Sequence, residues 1–172
     1  EHAGAEFLAW TTTPWTLPSN LALCVHPELV YVKFKDLTGK FNKDGQDRMF
    51  IMGKNRLKQL YPKHGSKKYK GGELEIVSEF VGKSLEGLTY EPLFPYFQER
   101  SKTGSFKVCV DEYVTSEDGT CIVHQAPAFG EDDFRVCMAQ GVIVKGEEIP
   151  CPLDASAKFT AEAGVYKGIY IK

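Results

Sequence analysis

The stretch Gly119-Thr120-Cys121-Ile122-Val123-His124-Gln125-Ala126-Pro127-Ala128-Phe129-Gly130-Glu131-Asp132-Asp133 changes character twice. Residues 122–124 form a short β-type run, Pro127 and Gly130 turn the chain, and three acidic residues open a helix. That helix continues through Phe134, Cys137 and Met138, at i, i+3 and i+4, and Gly141 is its expected stop. Carboxylates in a first turn oppose the positive end of the helix dipole. A strand that delivers a histidine to such a turn can bring His124 near Asp133 despite their separation in sequence. A structural histidine and capping carboxylates account for the same residues, and His124, Asp132 and Asp133 lack a metal-ligand spacing. No metal is expected.

Outward from this segment, further runs rich in β-branched or aromatic residues lie at 7–12, 21–25, 30–35, 48–52, 74–80, 106–110 and 165–171. Many short strands point to a barrel or sandwich-like core in a mixed α/β chain that is mainly β. Along 30–35, Val30, Val32 and Phe34 alternate with Tyr31, Lys33 and Lys35, which predicts one wet face. A second short helix is predicted over 54–61, with Pro62 as its breaker, and 82–100 reads as an irregular packed connection.

The chain has 172 residues, 42% hydrophobic and 26% charged, which fits one folded domain and argues against disorder. No apolar run approaches the roughly 20 residues of a membrane span, and the first residues do not read as a signal peptide, so no membrane partner is expected. Five cysteines without a Cys-x-x-Cys pair suggest neither a disulfide framework nor a zinc ribbon, and a reducing compartment is expected. A net charge of −2 excludes a strongly basic nucleic-acid wrapper but not a local basic patch. Such a patch lies at 54–70, where Lys54, Arg56, Lys58, Lys63, Lys67, Lys68 and Lys70 are joined by His64 without any acidic residue. It reads either as a solvated face or as a phosphate-contacting surface.

A second chemical segment is Thr11-Thr12-Thr13-Pro14-Trp15-Thr16-Leu17-Pro18-Ser19-Asn20. Four threonines interrupted by prolines put hydroxyls and unpaired backbone amides at the end of a strand, where they can grip a polar group. A threonine-rich strand edge with Trp15 in the core is the alternative.

Together these segments resemble the inserted editing domain of class I aminoacyl-tRNA synthetases, of the isoleucyl type. Leucyl and valyl members carry Thr-Thr-Arg-Pro-x-Thr, whereas this chain has Thr13 in the arginine's place and Trp15 after Pro14. His124-Gln125-Ala126-Pro127, Phe129-Gly130 and Asp133 support the same choice, and Arg135-Val136-Cys137 with Cys151-Pro152-Leu153-Asp154-Ala155-Ser156 is similar to the eukaryotic cytosolic branch. The resemblance is weak over 36–102. Where the family usually has Gly-Thr-Gly, this chain has Gly119-Thr120-Cys121.

The resemblance implies a barrel-centred domain with short peripheral helices that hydrolyses valine wrongly esterified to isoleucine tRNA. Neither signature of the synthetic active site is present, so hydrolysis and not aminoacylation is implied, in a single domain excised from a larger cytoplasmic synthetase. Valine and isoleucine differ by one methylene, worth about 1–3 kcal/mol in a hydrophobic pocket, a figure for which this synthetase is itself the usual illustration. By the same resemblance Asp133 pairs with the α-ammonium, while Thr11, Thr12 and Thr13 hold the ester and orient water. Trp15, Thr16, His124, Ala126 and Gly130 line the substrate. Lys54, Arg56, Lys58, Lys67 and Lys68 become candidates for tRNA contact. The implied partners are the 3′-terminal aminoacyl-adenosine of isoleucine tRNA and the synthetase's catalytic body; a monomer is expected, without a cofactor. The competing readings are a leucyl or valyl editing domain and a tRNA-binding module without turnover.

Overall fold

The computed structural model describes residues 2–41, 48–64 and 72–171. Its contacts divide the chain into two compact units, each assembled from three separate stretches. The first comprises Glu1–Trp10, Val25–Leu85 and Val110–Val123; the second comprises Thr11–Cys24, Glu86–Cys109 and His124–Lys172.

The first unit is built on a four-stranded sheet from β1 (Ala5–Phe7), β3 (Val30–Asp36), β4 (Met49–Gly53) and β5 (Leu74–Val81), in the order β1-β4-β3-β5. Strand β3 pairs antiparallel with both β4 and β5, and β1 joins β4 in parallel. Val32, Phe34, Phe50, Met52 and Leu74 from the sheet pack with Leu57 and Tyr61, which follow it on and after α1 (Leu57–Leu60). Each such apolar side chain contributes roughly 1.5–3 kcal/mol on burial.

The alternation along β3 does not produce a wet face. Val30 is exposed, whereas Tyr31 and Lys33 are buried along with Val32 and Phe34. Both faces of β3 are covered by packing: Val32 and Phe34 lie against Leu57 and Tyr61, and on the other face Tyr31 satisfies its phenol by donating to the Cys121 carbonyl at 2.7 Å.

A three-stranded sheet, ordered β6-β2-β7, is formed by β2 (Ala22–Val25), β6 (Lys107–Val110) and β7 (Ile122–Gln125), most of whose residues belong to the second unit. The central strand β2 is buried at every position. Helix α2 (Glu131–Ala139) follows β7 as expected and closes at Gly141, whose amide donates to Met138 O at 3.2 Å. It buries Val136 and Cys137, while Phe134 faces solvent.

The mixed, mainly β architecture with short helices is present; the described strands form these two sheets, and no closed barrel is found among them. Two expected strands are shorter or absent. Residues 7–12 contribute only the end of β1, because the chain then enters the proline-bearing turn Pro14–Ser19. Residues 165–171 form no strand; a 3-10 segment, Ala161–Tyr166, occupies their start, and Lys158 and Tyr170 meet in a single antiparallel bridge. Over 54–61 a 3-10 turn, Lys54–Arg56, precedes α1, and 86–105 is irregular apart from the 3-10 turn Gln98–Thr103. No helix among the described residues is long and apolar enough to cross a membrane.

Candidate functional site

The threonine segment folds as a 3-10 turn over Pro14–Ser19, with Pro14 at its first position, where a missing N–H costs nothing. This compact turn draws the hydroxyls inward. Thr13 N donates to Thr11 Oγ1 at 3.0 Å, the Thr11 and Thr13 hydroxyls lie 3.2 Å apart, and Thr16 Oγ1 donates to Thr13 O at 2.8 Å. Thr12 points outward and is exposed, and Trp15 is half-buried.

Strand β7 brings His124 to the same group. Its Nε2 lies 2.8 Å from Thr16 Oγ1, and its Nδ1 accepts from Asn20 Nδ2 at 3.2 Å. Because the Thr16 hydroxyl hydrogen goes to Thr13 O, Thr16 Oγ1 accepts from His124, which puts the imidazole proton on Nε2. The amide of Asn20 also donates to Ala22 O at 2.9 Å, and its Oδ1 accepts from the Tyr90 hydroxyl. A continuous chain of hydrogen bonds thus runs from Tyr90 through Asn20, His124 and Thr16 to the threonine run. His124 is almost wholly buried, and burial drives its pKa down to about 4, so the ring is neutral at physiological pH.

Two residues beyond His124, the buried Ala126 amide donates to Asp133 Oδ2 at 2.9 Å. Asp133 is the third residue of α2, where helix amides favour a carboxylate. Burial raises its pKa, opposed by the Ala126 hydrogen bond and assisted by the neighbouring charge of Asp132. Gly130 precedes the helix with its Cα against this carboxylate; a Cβ there would fall 2.9 Å from Asp133 Cγ. The site therefore offers a half-buried anion on one side of a turn and a neutral, rigidly held imidazole with hydroxyls on the other.

Thr11, Thr13, Thr16 and His124 are joined by these bonds, Ala126 and Gly130 frame Asp133, and Thr12 stands outside the network. Asn20 and Tyr90 were not singled out by the sequence. Asn20 lies in the threonine segment itself, but nothing in the sequence couples Tyr90 to it.

The basic residues Lys54, Arg56 and Lys58 belong to the first unit; Lys67, Lys68 and Lys70 lie outside the described residues. Lys54 pairs with Glu79 at 2.6 Å, and Arg56 donates to Gly119 O at 3.1 Å. Lys54, Lys58 and His64 border a cavity of about 600 Å³ with an apolar floor that includes Leu57 and Ile76. Cys121 takes a left-handed backbone, φ +60°, of the kind a glycine adopts, and burial pushes its thiol pKa upward. All five cysteines are free, and no cluster of three or more His, Cys, Asp or Glu side chains placed to hold a metal ion occurs among the described residues.

The chain is 46% identical over 168 residues to the cytoplasmic isoleucine–tRNA ligase of Caenorhabditis elegans, covering 97% of this chain and 13% of that protein. It is likewise 46% identical over 172 residues to the cytoplasmic isoleucine–tRNA ligase of Mus musculus, covering 100% of this chain and 12% of that protein. The chain thus spans only about an eighth of the length of these relatives. Among solved structures it resembles GlLeuRS-CP1, with a TM-score of 0.59 and 20% identity over 86% of this chain and 55% of that one. It also resembles the editing domain of the P. knowlesi cytosolic leucyl-tRNA synthetase, with a TM-score of 0.55 and 15% identity over 74% of this chain and 48% of that one. At these identities the structural likeness carries the fold alone. No protein-family model matches the chain.

Proposed function

The chain is a homologue, along its whole length, of one segment of the isoleucine–tRNA ligases, and from that premise we propose that it is their proofreading domain, which removes valine wrongly esterified to isoleucine tRNA. The observation that carries this reading is the Asp133 carboxylate, fastened by the Ala126 amide just beyond the strand that supplies His124. An aminoacyl ester offers the complementary cation, its α-ammonium, separated from the carbonyl to be attacked by the α-carbon alone.

In this reading Asp133 binds the ammonium and fixes which way the ester points. Water held among the hydroxyls and backbone groups of Thr11, Thr12 and Thr13 adds to the ester carbonyl. The acyl–oxygen bond then breaks, the ribose oxygen takes a proton, and free valine leaves. No side-chain nucleophile is required, because the ester is already activated and positioning supplies much of the rate. The buried cysteines support this division of labour, since burial holds the Cys121 thiol away from the thiolate form.

His124, Trp15 and Thr16 form the wall that admits valine and refuses the longer isoleucine side chain. A neutral imidazole held at both nitrogens makes a stiff wall, and exclusion by contact exceeds what attraction to one methylene can supply. Valyl-adenylate presents the same ammonium and a nearby adenosine, so the same site would accept it. In this reading the chain acts as a monomer with the tRNA 3′ end and the catalytic body of the ligase as partners; a cytoplasmic location is supported by the names of the relatives. The test is amino-acid release from valyl- and isoleucyl-esterified isoleucine tRNA at excess enzyme and low salt. Faster release of valine is expected; binding of tRNA without release of either amino acid would replace this reading with a binding module.

A further inference from the structure

We propose that Tyr90 is a positioning residue of this site, whose hydroxyl fixes the carboxamide of Asn20 and thereby the proton on His124. The proposal rests on the editing reading above for its functional consequence, and on geometry for the rest. Tyr90 donates to Asn20 Oδ1, while Asn20 Nδ2 serves Ala22 O at 2.9 Å and His124 Nδ1 at 3.2 Å. The two ends of a carboxamide are nearly equal in shape, so only hydrogen-bond partners distinguish its orientations. Here the oxygen is claimed by a donor and the nitrogen by two acceptors, which leaves one arrangement satisfied.

The phenol that makes this choice is itself well anchored. Tyr90 N donates to Phe106 O at 2.9 Å, and its ring meets Phe106 edge to face at 6.2 Å. Tyr90 therefore takes its direction from the start of β6, although it lies in an irregular connection. Burial raises its pKa well above the ordinary tyrosine value, so the hydroxyl remains a donor at any working pH.

The consequence reaches the threonine run. With Nδ1 accepting from Asn20, His124 must donate through Nε2 to Thr16 Oγ1, and the Thr16 hydrogen is left for Thr13 O. In the other tautomer Nε2 would need a donor, and Thr16 would turn its hydrogen away from the Thr13 carbonyl. One phenol thus couples the wall that sorts side chains to the loop that holds the ester.

The test is Tyr90→Phe in the full chain, read by the ring-nitrogen NMR spectrum of ¹⁵N-histidine and by the ratio of valyl- to isoleucyl-ester hydrolysis. The unaltered chain should show His124 as a single Nε2–H tautomer, the variant a mixture of both, with the ratio lowered about threefold to tenfold, as expected for one hydrogen bond. A loss of thermal stability alone would not move the tautomer. An unchanged tautomer, or a mixed tautomer with an unchanged ratio, overturns the proposal. The nitrogen spectrum needs no substrate, so failure of the chain to hydrolyse either ester would count against the editing reading and leave the Tyr90 assignment to be decided by the spectrum. If the variant does not fold, the Tyr90 hydroxyl proton of the unaltered chain decides: protection from exchange supports the hydrogen bond, and exchange at the solvent rate overturns it.

Discussion

Ala126 and Asp133 are joined across the turn between β7 and α2 by a 2.9 Å hydrogen bond from the amide of one to the carboxylate of the other. The bond holds the carboxylate beside the strand that carries His124, and Gly130 leaves just enough room for it. A methyl group at Gly130 would meet Asp133 Cγ at 2.9 Å, closer than carbon atoms pack. Gly130→Ala therefore displaces the carboxylate. We expect valyl-ester hydrolysis to fall on the order of tenfold or more, since small misplacements of a binding group are costly. The free energy of unfolding should change by only about 1 kcal/mol, because an extended backbone at Gly130 suits alanine. Single-turnover kinetics beside urea melts separate the two effects.

Burial of neutral His124 makes stability depend on pH in a definite direction. The ring titrates near 6.5 when unfolded and near 4 in the fold, so between these values the unfolded chain binds the extra proton. Stability is fully present above pH 6.5 and is lost as pH falls toward 4, by at most about 3 kcal/mol for a shift of this size. Urea melts from pH 7 to 4 should show this loss, and His124→Gln should remove it.

Cys121 holds a side chain where the backbone favours none. Its φ of +60° costs an L-residue roughly 1 kcal/mol, and replacement by glycine recovers about that while giving up a buried thiol of similar worth. Cys121→Gly should therefore lie within about 1 kcal/mol of the parent. Cys121→Val, β-branched at the same φ, should lose roughly 2 kcal/mol or more. Gly53 packs directly on this residue, with an added Cβ 2.6 Å from Cys121 Sγ, so Gly53→Ala should also destabilise. Denaturant midpoints check all three.

The strand-turn-helix segment was legible because each part carries its own local signal: β-branched residues, then proline and glycine, then first-turn acids with Gly141 as the stop. Strand β3 lies where its sequence places it, but its burial differs, since whether one face or both lose water depends on segments from distant sequence that pack over them. The C-terminal residues 165–171 show the opposite failure. Val165 and Ile169 have strand character, yet both stand in solvent, and only an isolated bridge at Tyr170 remains of the expected strand. In the site, the threonine run, His124 and Asp133 carried chemical types that announce themselves. The role of Tyr90 was hidden because a tyrosine is common in packed connections, and its coupling to Asn20 spans seventy residues.

The basic run makes a prediction about salt. Lys58 is exposed at the rim of the first unit's cavity, whereas Lys54 already has Glu79. If Lys58 contacts tRNA phosphate, Lys58→Glu weakens binding and lowers the slope of log K against log salt by about 0.7–0.9 for the lost contact. An unchanged slope would reduce the run to a solvated face.

The most direct measurement compares the valyl ester of isoleucine tRNA with its 2-hydroxyisovaleryl counterpart, which lacks the ammonium, in the parent chain and in Asp133→Asn. The asparagine keeps an oxygen for the Ala126 amide and removes only the charge. The parent should hydrolyse the valyl ester faster by roughly 10- to 100-fold, the range of one charge-assisted contact, and the variant should lose this preference. Equal hydrolysis of both esters by the parent, or a preference that survives in Asp133→Asn, would contradict the claim that Asp133 reads the ammonium.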